Sequence, residues 1–246
     1  MIKKILILLF LLLITAYLIV AVTAFNTKPA DQVCKGMELI IKDSIDHGFI
    51  SQKGILRLLN GKKLSPVGKK MGDINTRLLE EELSQHPLIE NVECYRTPPG
   101  CKIGIEVTQR LPILRVMANN GDNYYIDNKG KIMPIPNSSA HVAVVTGYVD
   151  RDFAVKELYT LGVFLQAHPL WDAQIEQINV TQAKELELVP RVGEHIIFLG
   201  KPGNYEEKFE KLKTFYEKGL NQVGWNKYSR ISLEFNNQII CTKKEK

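Results

Sequence analysis

The sequence predicts an α+β protein: a single N-terminal transmembrane helix, then a strand-helix-helix-strand-strand domain, then a mostly antiparallel β domain with two helices. Three observations predict it. An uncharged, almost wholly apolar run spans Ile5 to Phe25. Two segments with helical apolar spacing then lie between one strand-like run and a pair of strands. Beyond Pro112, short apolar runs alternate with Gly, Asn and Pro turns, and two helix-period segments interrupt them. The expected organisation is a cytoplasmic tail 1–4, a transmembrane helix 5–25, a linker 26–32, a first domain 33–115, a β domain 116–242 and a charged tail 243–246.

At ~1.5 Å per residue the first run is ~31 Å long as a helix, against a hydrocarbon core of ~30 Å. Lys3 and Lys4 precede it, and positive charge beside a first span stays in the cytoplasm, so the rest of the chain is expected outside. The lipid bilayer is then a partner through residues 5–25. The alternative is a cleaved signal peptide with Val22, Thr23 and Ala24 as its cleavage site, although such peptides have apolar cores of about 7 to 15 residues. Asn26 to Gln32, with Pro29, is a short linker.

The first domain opens with a strand over Val33 to Lys42. Ser51 is placed to cap a helix that runs to Leu59 and stops at Gly61, and Lys62 to Gly72 is a Gly-, Pro- and Lys-rich loop. Asp73 or Asn75 caps a second helix to about Gln85, with Ile74, Leu78, Leu79 and Leu83 as its buried face, and Pro87 ends it. Strands follow at Ile89 to Tyr95 and Cys101 to Gln109. With Tyr95 opposite Gly100, Cys94 meets Cys101, and a hairpin disulfide is feasible; two free thiols are the alternative.

In the β domain, strands are expected at Leu114 to Ala118, Asn123 to Ile126, Lys131 to Met133 and Val142 to Val145. A helix capped by Asp150 or Asp152 runs to Ala167, with Phe153, Leu158, Leu161, Val163 and Leu165 as its apolar side, and Pro169 terminates it. A meander follows at Ile175 to Thr181, Glu185 to Val189 and His195 to Leu199. The last helix covers Tyr205 to Lys218 with Gly219 as C-cap, and strands Ser229 to Phe235 and Gln238 to Thr242 finish the domain, joined tightly by Asn236 and Asn237. Gln238, Ile240 and Thr242 point one way, and Ile239 and Cys241 the other.

Charge and motifs exclude several functions. The net charge of +5 is spread among interleaved acidic and basic residues, so nucleic acid is not an expected partner. The cysteines Cys34, Cys94, Cys101 and Cys241 contain no C-x-x-C pair and the histidines are scattered, so no metal site is expected. Gly54, Gly61 and Lys62 have six residues between the glycines where a phosphate loop has four, and they bracket a helix where that loop opens one. No Ser sits in a G-x-S-x-G elbow and no His in H-E-x-x-H. His86 and His168 precede prolines at helix ends, Glu80 to Glu82 form a solvated helix face, and Asn137 and Asn179 stand in glycan-acceptor spacing. No catalytic residue, cofactor or small-molecule substrate is therefore expected.

The stretch Ile74 to Val116, with His86-Pro87-Leu88-Ile89 leading to a hairpin and then Gln109-Arg110-Leu111-Pro112, resembles a polypeptide-transport-associated (POTRA) domain. Tyr125-Ile126-Asp127-Asn128-Lys129-Gly130 and Val144-Val145-Thr146-Gly147 resemble two signatures of the second domain of the FtsQ/DivIB family. Gln109 stands where that family usually has Glu, and the cysteine pair and the lysine loop are not general family features. The resemblance implies a bitopic division scaffold at the septum of the bacterial inner membrane, its C-terminal domain in the periplasm, recruiting FtsB and FtsL. The partner-binding residues it points to are Arg230, Gln238, Ile239, Ile240, Cys241 and Thr242, at an expected sheet edge; the alternative there is that Ile239 and Cys241 only pack the core. A second implied reading is a POTRA-containing component of protein export or outer-membrane assembly.

Overall fold

The computed structural model describes residues 2–25, 31–42, 48–97, 100–136 and 138–244, with side chains throughout except at 2, 4–7 and 22–25. Pro29, Pro98, Pro99, Asn137 and the end of the charged tail lie outside these residues. Helix α1, Ile2–Phe25, is followed by two compact units, one built around Ile50–Thr108 and the other around Gln109–Lys246. Among the described residues no helix is both long and apolar enough to cross a membrane.

The first unit has strand β1 (Gly36–Lys42), helices α2 (Gln52–Gly61) and α3 (Thr76–Ser84), and strands β2 (Ile89–Thr97) and β3 (Lys102–Gln109). The sheet order is β1-β3-β2, and β1 runs parallel to β3. Ser51 starts α2 because its Oγ accepts the Gly54 N–H at 3.1 Å; Asn75, not Asp73, does the same for α3 through the Leu78 N–H at 3.2 Å. Leu59, Leu79 and Leu83 of the helices and Ile103, Ile105 and Val107 of the central strand are all buried, and α3 lies against β2. Leu78 was expected among them, yet it is 39% exposed, because the helix turns it past the sheet.

The hairpin register differs from the expected one, in which Tyr95 faces Gly100. The Tyr95 ring lies over Gly104, where an added Cβ would come within 2.4 Å of it, and the Tyr95 hydroxyl donates to Glu106 at 2.9 Å. Cys94 lies within β2, whereas Cys101 stands before β3 in the turn with φ of 52°, its thiol donating to the Gln32 side chain. Both are free thiols. Burial, with the Glu80 charge added, pushes the Cys94 thiol up to about 12, which starves it of the thiolate that disulfide exchange requires.

Among the described residues the second unit has a nine-stranded sheet: β4 (Pro112–Ala118), β5 (Asn123–Asp127), β6 (Ile132–Met133), β7 (Ala143–Gly147), β8 (Ile175–Val180), β9 (Leu186–Pro190), β10 (Ile196–Gly200), β11 (Tyr228–Ser232) and β12 (Ile240–Lys243). Their order is β12-β11-β10-β9-β8-β7-β4-β5-β6. β8, β9 and β10 are the expected meander. The sheet is mixed, because β4, β7 and β8 run parallel, as do β10 and β11. Such pairs need crossovers: helices supply those from β7 to β8 and from β10 to β11, whereas the chain from β4 to β7 passes through β5 and β6.

The first crossover is α4 (Arg151–Phe153), a π-helical turn Ala154–Leu158, α5 (Tyr159–Ala167) and α6 (Pro169–Gln174). Asp150 caps it, accepting the Phe153 N–H at 2.8 Å. Pro169 ends α5 as expected but also opens α6, since a missing N–H costs nothing in a first turn. Val163, expected inside, is 40% exposed. The second crossover is α7 (Tyr205–Phe215), a π-helical turn Tyr216–Leu220 and α8 (Asn221–Val223). Gly219 is thus inside the helix, and Gly224, with φ of 94°, ends it. The helices cover one sheet face, where Leu114, Val145, Ile178, Leu188, Ile197 and Ile231 meet Leu158, Leu161, Phe209 and Leu212.

Two details explain the signature residues. Asp127 is 2% exposed; its Oδ2 accepts from Arg110 Nε at 2.7 Å and its Oδ1 from the N–H groups of Lys129 and Lys131 at 3.0 and 2.7 Å. The one carboxylate closes the β5–β6 turn and fixes the start of β4. Gly147 ends β7 with φ of 94°, and a Cβ there would lie 2.2 Å from the Val180 carbonyl oxygen. Gly147→Ala is expected to cost about 2 to 3 kcal/mol, a left-handed penalty plus a backbone clash, read as a lowered urea midpoint. An unchanged midpoint would contradict it.

Candidate functional site

Strand β12 is the last in the sheet order, so one of its edges faces no other strand among the described residues. Its inner edge pairs antiparallel with β11: Ser232 with Ile240, Ile231 with Cys241, Arg230 with Thr242. Ile239 and Cys241 are half-buried against the helix-side core, whereas Gln238, Ile240 and Thr242 are exposed, Ile240 at 45%. Gln238 and Ile239 precede the strand. The link from β11 is longer than the tight Asn236-Asn237 turn expected, because β11 ends at Ser232.

Arg230 lies within β11, not at the rim. It donates to Glu187 at 2.8 Å, and its guanidinium stacks over the Phe198 ring at 4.2 Å. Glu187 also accepts from Asn179 at 3.0 Å, and Thr146 donates to Asn179 at 3.4 Å. A polar row thus crosses the sheet on the face away from the helices and ends beside Thr242.

Sequence reasoning missed the groove on the other face. About 660 Å³ in volume, it lies between α7 and the segment Asn237 to Ile239, with Thr214, Phe215, Lys218 and Gly219 on the helix side. Gly219 shapes it, since a Cβ there would meet the Phe215 ring at 2.9 Å. Lys211 donates to the carbonyls of Phe235 and Asn236 at 3.0 and 2.8 Å and so ties the approach to β12 onto α7. The only hint in the sequence is the helix-period spacing of Lys211, Phe215 and Gly219, which does not say what they face.

In the same unit, His195 is 1% exposed and shares a 2.8 Å hydrogen bond with the Tyr216 hydroxyl; the Tyr216 ring lies 4.7 Å from that of Trp225. Burial pushes the His195 pKa below its ordinary value, partly offset by the Trp225 backbone. A depressed histidine favours the folded state above the unfolded pKa of about 6.5, and that stability is lost as pH falls below it. His86, also depressed by burial, adds in the same direction. Stability is expected to drop between pH 7 and pH 5 by up to about 1.4 kcal/mol per unit per group, and His195→Gln should reduce the slope. A slope identical in both proteins would contradict this origin.

Comparison with known families agrees with this architecture. Residues 32–108 match the model of the POTRA-like domain, and residues 111–242, more than half of the chain, match that of "FtsQ/DivIB, C-terminal related". The chain is similar to the cell division protein FtsQ of Myxococcus fulvus, 27% identical over 59% of this chain and 53% of that protein. It is likewise similar to the cell division protein FtsQ of Salinibacter ruber, 26% identical over 73% of this chain and 74% of that one. The chain thus spans about half the length of the first relative and three quarters of the second. A POTRA-like unit followed by this kind of C-terminal sheet defines a class of bacterial cell-division protein. The chain belongs to the FtsQ/DivIB family.

Proposed function

We propose that the protein is a bitopic scaffold of the divisome, held in the inner membrane by residues 5–25 with its N-terminus in the cytoplasm and both folded units in the periplasm. It captures FtsB, and with it FtsL, by taking a partner segment onto the free edge of β12. The observation that carries this reading is the outer edge of β12, which no other strand covers among the described residues, flanked by exposed Ile240 and Thr242 on one face and an apolar groove on the other. Such an edge pairs readily with another extended chain, whose alternate side chains would lie over the groove and over the Arg230 row. Arg230 contributes shape and charge while held by Glu187, and Ile239 and Cys241 seat the strand on the core.

Depleting the protein in its native cell tests the role. Filamentation without an outer-membrane defect is the expected result, reversed by the full chain and not by one that ends at Gln238. Normal division on depletion would refute the proposal, and an outer-membrane assembly defect would place the protein in export.

A further inference from the structure

Between Gly48 and Gly72 the chain carries Lys53, Arg57, Lys62, Lys63, Lys69 and Lys70, and no Asp or Glu. Within the loop, Lys62-Lys63 and Lys69-Lys70 bracket Leu64-Ser65-Pro66-Val67-Gly68; all four lysines and Val67 are exposed, Val67 at 47%, while Pro66 is buried and fixes the turn. The far half of the loop is hydrogen-bonded to the chain that enters the first unit. Gly68 donates to Cys34 O at 3.0 Å, Cys34 to Lys69 O at 2.8 Å and Met71 to Gln32 O at 2.8 Å; Val33, 50% exposed, bridges to Lys70. Arg96 holds the loop's end through Met71 O at 3.0 Å and Ile74 O at 2.7 Å. Of the nearby carboxylates, Glu82 pairs with Lys62, and Asp31 and Asp73 lie outside the loop.

Phe25 ends α1, so six residues, 26–31, separate it from Gln32. At ~3.5 Å per residue they span at most ~20 Å, which confines the loop to within a few Debye lengths of any membrane that holds α1. We infer that the loop Lys62 to Lys70, with Val33 beside it, is a docking surface for the anionic phospholipid headgroups of the leaflet from which α1 emerges. The inference rests on the membrane-anchor reading. Lysines supply the attraction to phosphodiester charge, and Val67 and Val33 supply apolar contact at the headgroup boundary, a combination suited to a lipid surface more than to an acidic protein. Docking would seat the first unit on the bilayer and restrict how far the β12 edge can search for partners.

The test uses the full chain in vesicles of phosphatidylcholine alone or with about 40% phosphatidylglycerol, labelled with a water-soluble amine-acylating reagent and read by mass spectrometry. Labelling of Lys63, Lys69 and Lys70 is expected to fall about threefold or more on the anionic vesicles and to recover in about 0.5 M salt, while Lys156 and Lys201 stay unchanged. In Lys69→Gln/Lys70→Gln, the protection of Lys63 should weaken. Equal labelling on both vesicles would overturn the docking and leave the anchor intact. Failure of the chain to float with phosphatidylcholine vesicles would overturn both. Protection in whole cells without protection on lipid would assign the loop to an acidic protein and reject the lipid.

Discussion

Replacing Asp127 by Ala is expected to remove about 3 to 5 kcal/mol from the stability of the second unit, enough to unfold a marginally stable domain. The reason is geometric. The carboxylate is 2% exposed and takes three hydrogen bonds, one from Arg110, whose side chain is 12% exposed, and two from the backbone N–H groups of the β5–β6 turn. Deleting a buried carboxylate costs more than the net worth of its hydrogen bonds, because the groups arranged around the charge must reorganise or take up water. Arg110 also donates to the Ile132 carbonyl at 3.1 Å, so β4, β5 and β6 lose a common tie. Urea denaturation of Asp127→Ala beside the native chain measures the loss, and Asp127→Asn should lose less, because it keeps an acceptor for the turn. A loss below about 1 kcal/mol would show that the pair is not structural.

Replacing Ile240 by Pro is expected to cut partner capture at least about tenfold while leaving the fold in place. Proline removes an N–H from the ladder and crowds the strand beside it, so the outer edge loses its regular spacing. The side chain itself contributes little to stability, since Ile240 is 45% exposed and at the end of the sheet. Ile240→Ala separates the effects: it keeps the main-chain pattern and should retain most of the binding, provided the edge and not the side chain is what the partner reads. Capture of FtsB by both variants at native strength would remove the edge from the account.

Much of this was legible in the sequence because it is local. Ser51, Asn75 and Asp150 cap helices through atoms three residues away, and the alternation of Ile239 and Cys241 with Gln238, Ile240 and Thr242 follows from the two-residue period of a strand. The misses share a cause: each depends on a partner distant in the chain. Nothing near Tyr95 says that its ring will settle over Gly104, or that the Cys101 thiol will turn to Gln32. The parallel pairing of β4, β7 and β8 joins strands tens of residues apart, and short apolar runs do not declare their direction. Gly219 looks like a helix stop, yet its missing Cβ makes room for Phe215 and shapes the groove. Asp127 belongs to a signature in the sequence, and only the fold reveals Arg110 against it.

Amide hydrogen exchange of the full chain, with and without bound FtsB, bears most directly on the central claim. Slowed exchange confined to Ile240–Lys243 and the approach through Asn237 to Ile239 is the predicted result, with the opposite edge at Ile132–Met133 unchanged. Binding that leaves the β12 amides exchanging as in the free protein would contradict it.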